Sequence, residues 1–168
     1  TGLGILDKVK NLGEPSIIDI LRSDKCYGDY FTSNMHKQEH IDIRDSPKSE
    51  DIKLYYYDSS KRERKVGFID PKDVKHFTQD IPHWKVLVPS AGSDGGAKLP
   101  DRVLSSSVIA GKKSVCSQTY LPFIVKTKAE AKSLVSYLQT RFVRYLIHLV
   151  KKTQHGSRKF YSFVPKPS

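Results

Sequence analysis

Cysteine is scarce in this chain of 168 residues, which holds only Cys26 and Cys116. The two are far apart, and neither belongs to a Cys-x-x-Cys or Cys/His pattern. Structural zinc sites need closely spaced ligands, and disulfide frameworks need several cysteine pairs. The sequence therefore indicates two reduced thiols and neither kind of cross-link.

Long apolar runs are also lacking, since no stretch approaches the roughly 20 apolar residues that cross a bilayer. The N-terminus does not show the charged and then apolar order of a signal peptide. We therefore expect a cytoplasmic protein without a membrane partner. The chain starts at Thr1 rather than at methionine, which suggests a piece of a longer protein.

Two glycine motifs that bind nucleotides are absent. Residues 90–98 are rich in glycine, but they lack the Gly-Lys-Ser/Thr ending of a Walker loop, and the chain has no Gly-x-Gly-x-x-Gly. Glycines nevertheless let backbone amides approach an anion closely. We expect this segment to be a loop that faces a large ligand.

Acidic residues are nearly missing from the C-terminal part. Residues 101–168 hold 13 Lys and Arg but only Asp101 and Glu130, which gives a net charge of 13 − 2 = +11. Residues 1–100 hold 16 basic and 16 acidic residues and have no net charge. A segment this basic repels itself unless a polyanion neutralises it, and nucleic acid is the commonest such partner.

A β-hairpin with a basic tip is the clearest local prediction. Residues 52–57 and 66–69 are rich in β-branched and aromatic residues, and they flank the polar segment 58–65. Cations at such a tip can bind DNA phosphates, but exposed hairpin tips are also often charged without binding any ligand. The tip holds Lys61, Arg62, Arg64 and Lys65.

The other elements follow from hydrophobic periodicity. The pattern predicts two short N-terminal helices, a polar loop over 32–51, a strand over 84–89, a strand over 114–125 and a strand over 160–164. Between the last two strands it predicts a long helix that follows Thr127, has an apolar period from Ala131, and ends at Lys151 and Lys152. Thr127 is the expected N-cap of the helix, with Glu130 at the capping-box position. Its predicted apolar face includes Leu138, Phe142 and Tyr145.

These elements predict an α+β fold, with a small mixed or antiparallel sheet, a β-hairpin and one long central helix near the C-terminus. Residues 1–83 would supply the helices, the polar loop and the hairpin. Residues 84–168 would form a basic strand-helix-strand lobe. We expect the two parts to make one compact domain.

Five blocks of sequence carry a resemblance to a known family. They are Trp84–Pro89 with the glycine-rich loop, Cys116–Tyr120, Tyr137–Arg144, Lys152–His155 and Phe163–Pro165. In this order they resemble the C-terminal region of type II restriction-modification adenine-specific DNA methyltransferases, including fused methylase-endonucleases. The similarity covers about residues 84–165, and the chain departs from the family at Ser117–Gln118, where we expect a Thr-Glu-like pair.

The resemblance implies a target-recognition domain that reads double-stranded DNA. A separate catalytic domain of the same parent chain would bind S-adenosylmethionine and methylate adenine. No Asn/Asp-Pro-Pro-Tyr/Phe motif occurs here, so we expect neither that activity nor that cofactor in this piece.

We expect phosphate contacts from the basic residues and base contacts near Thr153, Gln154 and His155. The predicted DNA-binding residues are Lys61, Arg62, Arg64, Lys65, Ser93, Lys98, Thr140, Arg141, Arg144, Lys151, Lys152, Thr153, Gln154, His155, Arg158 and Lys159.

Two alternatives remain open from the residues alone. The first is an independent metal-dependent nuclease or other hydrolase. It would use Asp45, Asp51, Lys53, His36 and His40 together with a divalent metal. The second is a basic protein-docking module in which Arg144 belongs to a buried ion pair.

Overall fold

The computed structural model describes residues 15–23, 26–91, 103–150 and 158–167. The first predicted N-terminal helix and the glycine-rich loop up to residue 98 lie outside these ranges, except for the first two residues of the loop. Every structural statement below concerns the described residues.

The hairpin forms as predicted, from β1 (Ile52–Asp58) and β2 (Glu63–Ile69). The strands pair antiparallel from Ile52 opposite Ile69 to Asp58 opposite Glu63. Inward positions of β1 alternate with more exposed ones, which places Leu54 and Tyr56 in the core. The connecting turn is shorter than the predicted polar tip, because β2 begins at Glu63.

Strand β3 (Trp84–Pro89) is central to the second sheet and has the predicted bounds. It lies between β4 (Val108–Ala110) and β6 (Tyr120–Val125), both antiparallel to it. Almost every side chain of β3 is buried, because both faces of this sheet are covered. The continuous apolar run in the sequence reflects this burial on two sides.

The strand predicted over 114–125 is instead two strands in different sheets. Strand β5 (Ser114–Cys116) pairs parallel with β1, whereas β6 pairs with β3. Residues 117–119 turn the chain between the sheets, and the hydroxyls of Ser117 and Thr119 lie 2.7 Å apart. Neither local pattern nor propensity signals this change of sheet, since both halves are rich in strand formers.

The sheets divide the core into two layers. Between them, Leu54, Ile69 and Val115 of the first sheet are buried with Leu87 and Ala110 of the second. The opposite face of the second sheet is buried against the C-terminal helices. That second cluster includes Val86, Val88, Phe123, Leu134, Leu138, Val143, Ile147 and Tyr161.

The predicted long helix is two shorter helices, α1 (Lys128–Leu138) and α2 (Arg141–Val150). Thr127 is the N-cap of α1 as predicted, since its hydroxyl accepts a hydrogen bond from the Glu130 N–H at 3.1 Å. At the break, the Thr140 hydroxyl accepts from the Val143 N–H at 3.3 Å and donates to the Tyr137 carbonyl at 2.7 Å. The Thr140 hydroxyl thus bonds to backbone groups that would be paired with other backbone groups in a continuous helix.

This break changes which residues face the core. Val143, Leu146 and Ile147 of α2 are buried, whereas Phe142 and Tyr145 are half exposed. Our prediction that Phe142 and Tyr145 share the buried face of Leu138 is wrong. It assumed one uninterrupted period of 3.6 residues, and the turn at 139–140 resets that period.

The predicted last strand is also wrong, because Arg158–Phe163 forms a 3₁₀ helix. Long-range partners hold this segment in place. The Ser16 hydroxyl donates to the Tyr161 carbonyl at 2.6 Å, and the Ile17 N–H donates to the Val164 carbonyl at 3.0 Å. The Tyr161 ring packs edge-on against Phe123 at 5.2 Å between centroids. These tertiary contacts override the strand propensity of the aromatic run.

The α+β class is confirmed by one mixed and one antiparallel three-stranded sheet, with the helices near the C-terminus. The mixed sheet combines the hairpin with β5, which comes from the second half of the chain. No helix in the described ranges is both long and apolar enough to cross a membrane.

Candidate nucleic-acid interface

The hairpin turn is fixed from within by Asp58. The Oδ1 atom of Asp58 accepts hydrogen bonds from the Ser60 N–H at 3.0 Å, the Ser60 hydroxyl at 2.5 Å and the Lys61 N–H at 3.3 Å. The Lys65 ammonium lies 3.0 Å from the other carboxylate oxygen. An aspartate at the start of a turn commonly caps it in this way. The tip is therefore a defined loop.

The electrostatics of this turn keep Asp58 ionised. Hydrogen bonds from Ser60, together with those from Lys65 and the backbone, hold the pKa of the carboxyl well below its usual range despite its burial. The same carboxylate raises the pKa of Lys65. The charge of Lys65 is thus largely compensated inside the hairpin.

Three predicted DNA-binding cations remain exposed on the tip: Lys61, Arg62 and Arg64. Arg62 adopts a left-handed backbone conformation, with φ of 53°, where the turn enters β2. The Arg64 guanidinium lies over the Tyr120 ring, 5.9 Å from its centroid. This contact links the tip to the first residue of β6.

A second basic surface lies on α2. We define the α2 outer face as Arg141, Phe142, Arg144, Tyr145 and His148. Arg144 is partly exposed, and the other four are exposed. Helix α2 contains no acidic residue. In the described ranges, the side chains of Arg141 and Arg144 form no ion pair, so the buried ion pair that the docking alternative assigns to Arg144 has no counterpart there.

Two other predicted DNA-binding residues are engaged within the fold. The Arg158 guanidinium donates to the Leu21 carbonyl at 2.9 Å and to the Ile18 carbonyl at 3.1 Å. Arg158 thereby ties the C-terminal 3₁₀ helix to the N-terminal segment. Thr140 caps α2, as described above. Lys159 is exposed beside Arg158.

Seven predicted residues lie outside the described ranges. They are Ser93, Lys98, Lys151, Lys152, Thr153, Gln154 and His155. Their roles stay predictions from the sequence.

Two groups of the hydrolase alternative, Asp51 and His40, make other contacts within the fold. Asp51 accepts two hydrogen bonds from the Arg44 guanidinium and one from the Lys48 N–H, and Arg44 is the main cause of its lowered pKa. The His40 ring stacks on Tyr30, 4.4 Å between centroids. Within the described ranges, no three His, Cys, Asp or Glu residues are placed to hold a metal ion.

His36 resembles part of a catalytic triad but has the wrong connectivity. Its Nε2 atom lies 3.4 Å from the Ser59 hydroxyl and 3.8 Å from Asp58. In a triad the serine and the carboxylate contact opposite ring nitrogens. Here both are near Nε2, while Nδ1 is buried and has no hydrogen-bond partner among the described residues. This arrangement does not support nucleophilic catalysis.

A cavity of about 400 Å³ opens beside His36. It carries the carboxylates of Glu39 and Asp42 on its lining, which would repel a phosphate. Its lining residues are Met35, His36, Gln38, Glu39, Ile41, Asp42, Ile43 and Tyr56.

The core contains a charged cluster that the sequence analysis missed. Lys85 on β3 is 0% exposed, and its ammonium donates to the His83 carbonyl at 2.8 Å. Burial lowers the pKa of Lys85 to about 8, although the nearby charge of Asp80 opposes this shift. Asp80 is itself buried and accepts two hydrogen bonds from Arg22, at 2.8 and 2.9 Å. The sequence signal that could have revealed this cluster is Lys85, a lysine within the otherwise apolar run of β3.

Comparison of the chain with protein-family models, with curated protein sequences and with solved structures finds no match.

Proposed function

We propose that the chain is a DNA-binding module that contributes target recognition to a type II restriction-modification adenine methyltransferase. Its partner would be double-stranded DNA in the bacterial cytoplasm. A catalytic domain of the same parent chain would bind S-adenosylmethionine and transfer the methyl group. The sequence resemblance and the charge of residues 101–168 support this proposal.

The observation that carries the proposal is the hairpin, whose turn is held by hydrogen bonds to Asp58 and which has three exposed cations. A two-stranded β-ribbon fits the major groove of B-DNA, where base edges can be read. Lys61 and Arg62 extend from a turn whose backbone Asp58 holds at Ser60 and Lys61, and Arg64 follows on β2. A preorganised loop loses less conformational entropy on binding than a flexible one.

Salt-dependent binding tests this function. The measurement is fluorescence anisotropy of a labelled duplex of about 30 base pairs, titrated with the 168-residue chain at several salt concentrations. Each phosphate contact contributes about −0.9 to the slope of log affinity against log salt. Replacement of Lys61, Arg62 and Arg64 by alanine should weaken binding to every duplex and flatten the slope by about 2 to 3.

A matched control removes the same number of charges elsewhere. Lys37, Lys53 and Lys72 are exposed and lie outside both the hairpin turn and the basic residues 101–168, so their triple alanine variant should bind nearly as the wild type does. Equal effects of the two triple variants would show that only total charge matters. Absence of salt-dependent binding by the wild-type chain would contradict the proposed function itself.

A further inference from the structure

The α2 outer face combines exposed aromatic rings with two arginines that form no ion pair among the described residues. Phe142 is 50% exposed and Tyr145 is 52% exposed. They are three residues apart on the helix, so their rings lie on the same side. The opposite side of α2 is packed by Val143, Leu146 and Ile147. The two rings are therefore not required for the core.

The charges beside these rings restrict the partner. Arg141 is exposed, Arg144 is partly exposed, and α2 has no acid to neutralise them. A second copy of this chain that docked through the same face would bring these cations against each other, because a two-fold interface pairs each patch with itself. A polyanion would neutralise them instead.

Among polyanions, nucleic acid also supplies flat surfaces for the rings. Proteins that bind single strands combine cations along the backbone with aromatic side chains on which bases stack. In an intact duplex the faces of the bases are covered by their neighbours. An enzyme that modifies a base must first move it out of the stack, which leaves nucleotides unstacked.

We propose that the α2 outer face binds unstacked nucleotides of DNA, with Phe142 and Tyr145 against bases and Arg141 and Arg144 on the flanking phosphates. This inference rests on the proposed function, because unstacking accompanies base modification in the parent enzyme. The hairpin would bind the intact duplex, and α2 would bind the opened part.

The test compares three labelled DNA probes of about 30 nucleotides: an intact duplex, the same duplex with a short central mismatched bubble, and a single strand. The wild-type chain should prefer the bubble to the intact duplex by on the order of tenfold for each stacked base. Replacement of both Phe142 and Tyr145 by alanine should abolish this preference. It should leave intact-duplex affinity and its salt slope unchanged.

Two further variants separate stacking from charge and from folding. The pair Phe142→Tyr with Tyr145→Phe keeps both rings and should keep the preference for the bubble. The pair Arg141→Ala with Arg144→Ala should flatten the salt slope on the bubble probe. Thermal melts of these two variants and of the double alanine variant at Phe142 and Tyr145 should match the wild type, because the changed residues lie on the α2 outer face.

The outcomes distinguish this inference from the proposed function. If the hairpin variant loses duplex binding but the double aromatic variant keeps the bubble preference, the inference is wrong and the proposed function stands. If only the aromatic variant has an effect, the inference stands and the hairpin assignment is wrong. Binding of no probe, or self-association that the aromatic variant abolishes in sedimentation, would overturn the inference.

Discussion

Lys85→Met should stabilise the protein, because it removes a buried charge and keeps a side chain of similar length. The pKa of Lys85 falls from its ordinary value of 10.5 to about 8 in the fold. One pKa unit corresponds to about 1.36 kcal/mol, so the protonated form costs the folded state about 3 kcal/mol. The lost hydrogen bond to the His83 carbonyl offsets about 1 kcal/mol. We therefore expect a net gain of about 2 kcal/mol near pH 7.

The pH dependence gives this prediction a second signature. Between the folded and the ordinary pKa, the unfolded chain binds more protons at Lys85 than the folded chain does. The contribution of Lys85 to stability therefore rises with pH over that window, from about 8 to 10.5, and is lost as pH falls through it. The advantage of Lys85→Met should shrink by about 2 kcal/mol between roughly pH 7 and pH 10.

Other groups titrate in the same range. Burial raises the pKa of Tyr27 and of the Cys116 thiol, so both favour unfolding at high pH. They are present in the wild type and in the variant. The difference between the two proteins therefore cancels their burial effects and reports Lys85 together with its charge interaction with Cys116.

The measurement is urea unfolding followed by circular dichroism at about pH 7 and pH 10. Lys53→Met is the control, because Lys53 is exposed on β1 and its removal should have little effect at either pH. A variant at Lys85 that is less stable than the wild type, with an unchanged pH slope, would refute the reasoning. It would mean that the ammonium makes a net favourable interaction in the core.

Three further predictions concern the fold. Leu138→Ala should lower the free energy of unfolding by about 2 to 5 kcal/mol, whereas Phe142→Ala should leave it nearly unchanged, since only Leu138 is buried. Urea midpoints in the reverse order would contradict the split into two helices. Thr127→Ala should cost about 1 kcal/mol by removing the α1 cap, whereas Thr127→Ser should restore it in the same melts. Asp80→Asn should destabilise by about 3 kcal/mol because it leaves Arg22 without its carboxylate; a thermal melt equal to that of the wild type would argue against this ion pair.

Much of the candidate site was predictable from local sequence. The hairpin followed from two strand-forming runs around a polar tip, because strand alternation and turn composition act over a few residues. The charge of residues 101–168 is a property of composition alone. The role of Asp58 was harder to predict, since it depends on Lys65 reaching back across the turn. The exposed rings of α2 were missed because the helix was taken as continuous.

The sequence by itself determined the hairpin, the apolar strand β3, the Thr127 cap and the basic C-terminal part, since each depends on neighbouring residues. Tertiary structure decided the helix break, the split between β5 and β6, the 3₁₀ helix at Arg158–Phe163 and the burial of Lys85. The split between β5 and β6 and the 3₁₀ helix depend on partners distant in the chain, such as β1 for β5 and Ser16 for Tyr161. The helix break and the burial of Lys85 depend on how α2 and β3 pack in the core, although Thr140 and Lys85 also bond to near neighbours. Local propensities differ by about 1 kcal/mol or less per residue, so long-range packing and hydrogen bonds override them.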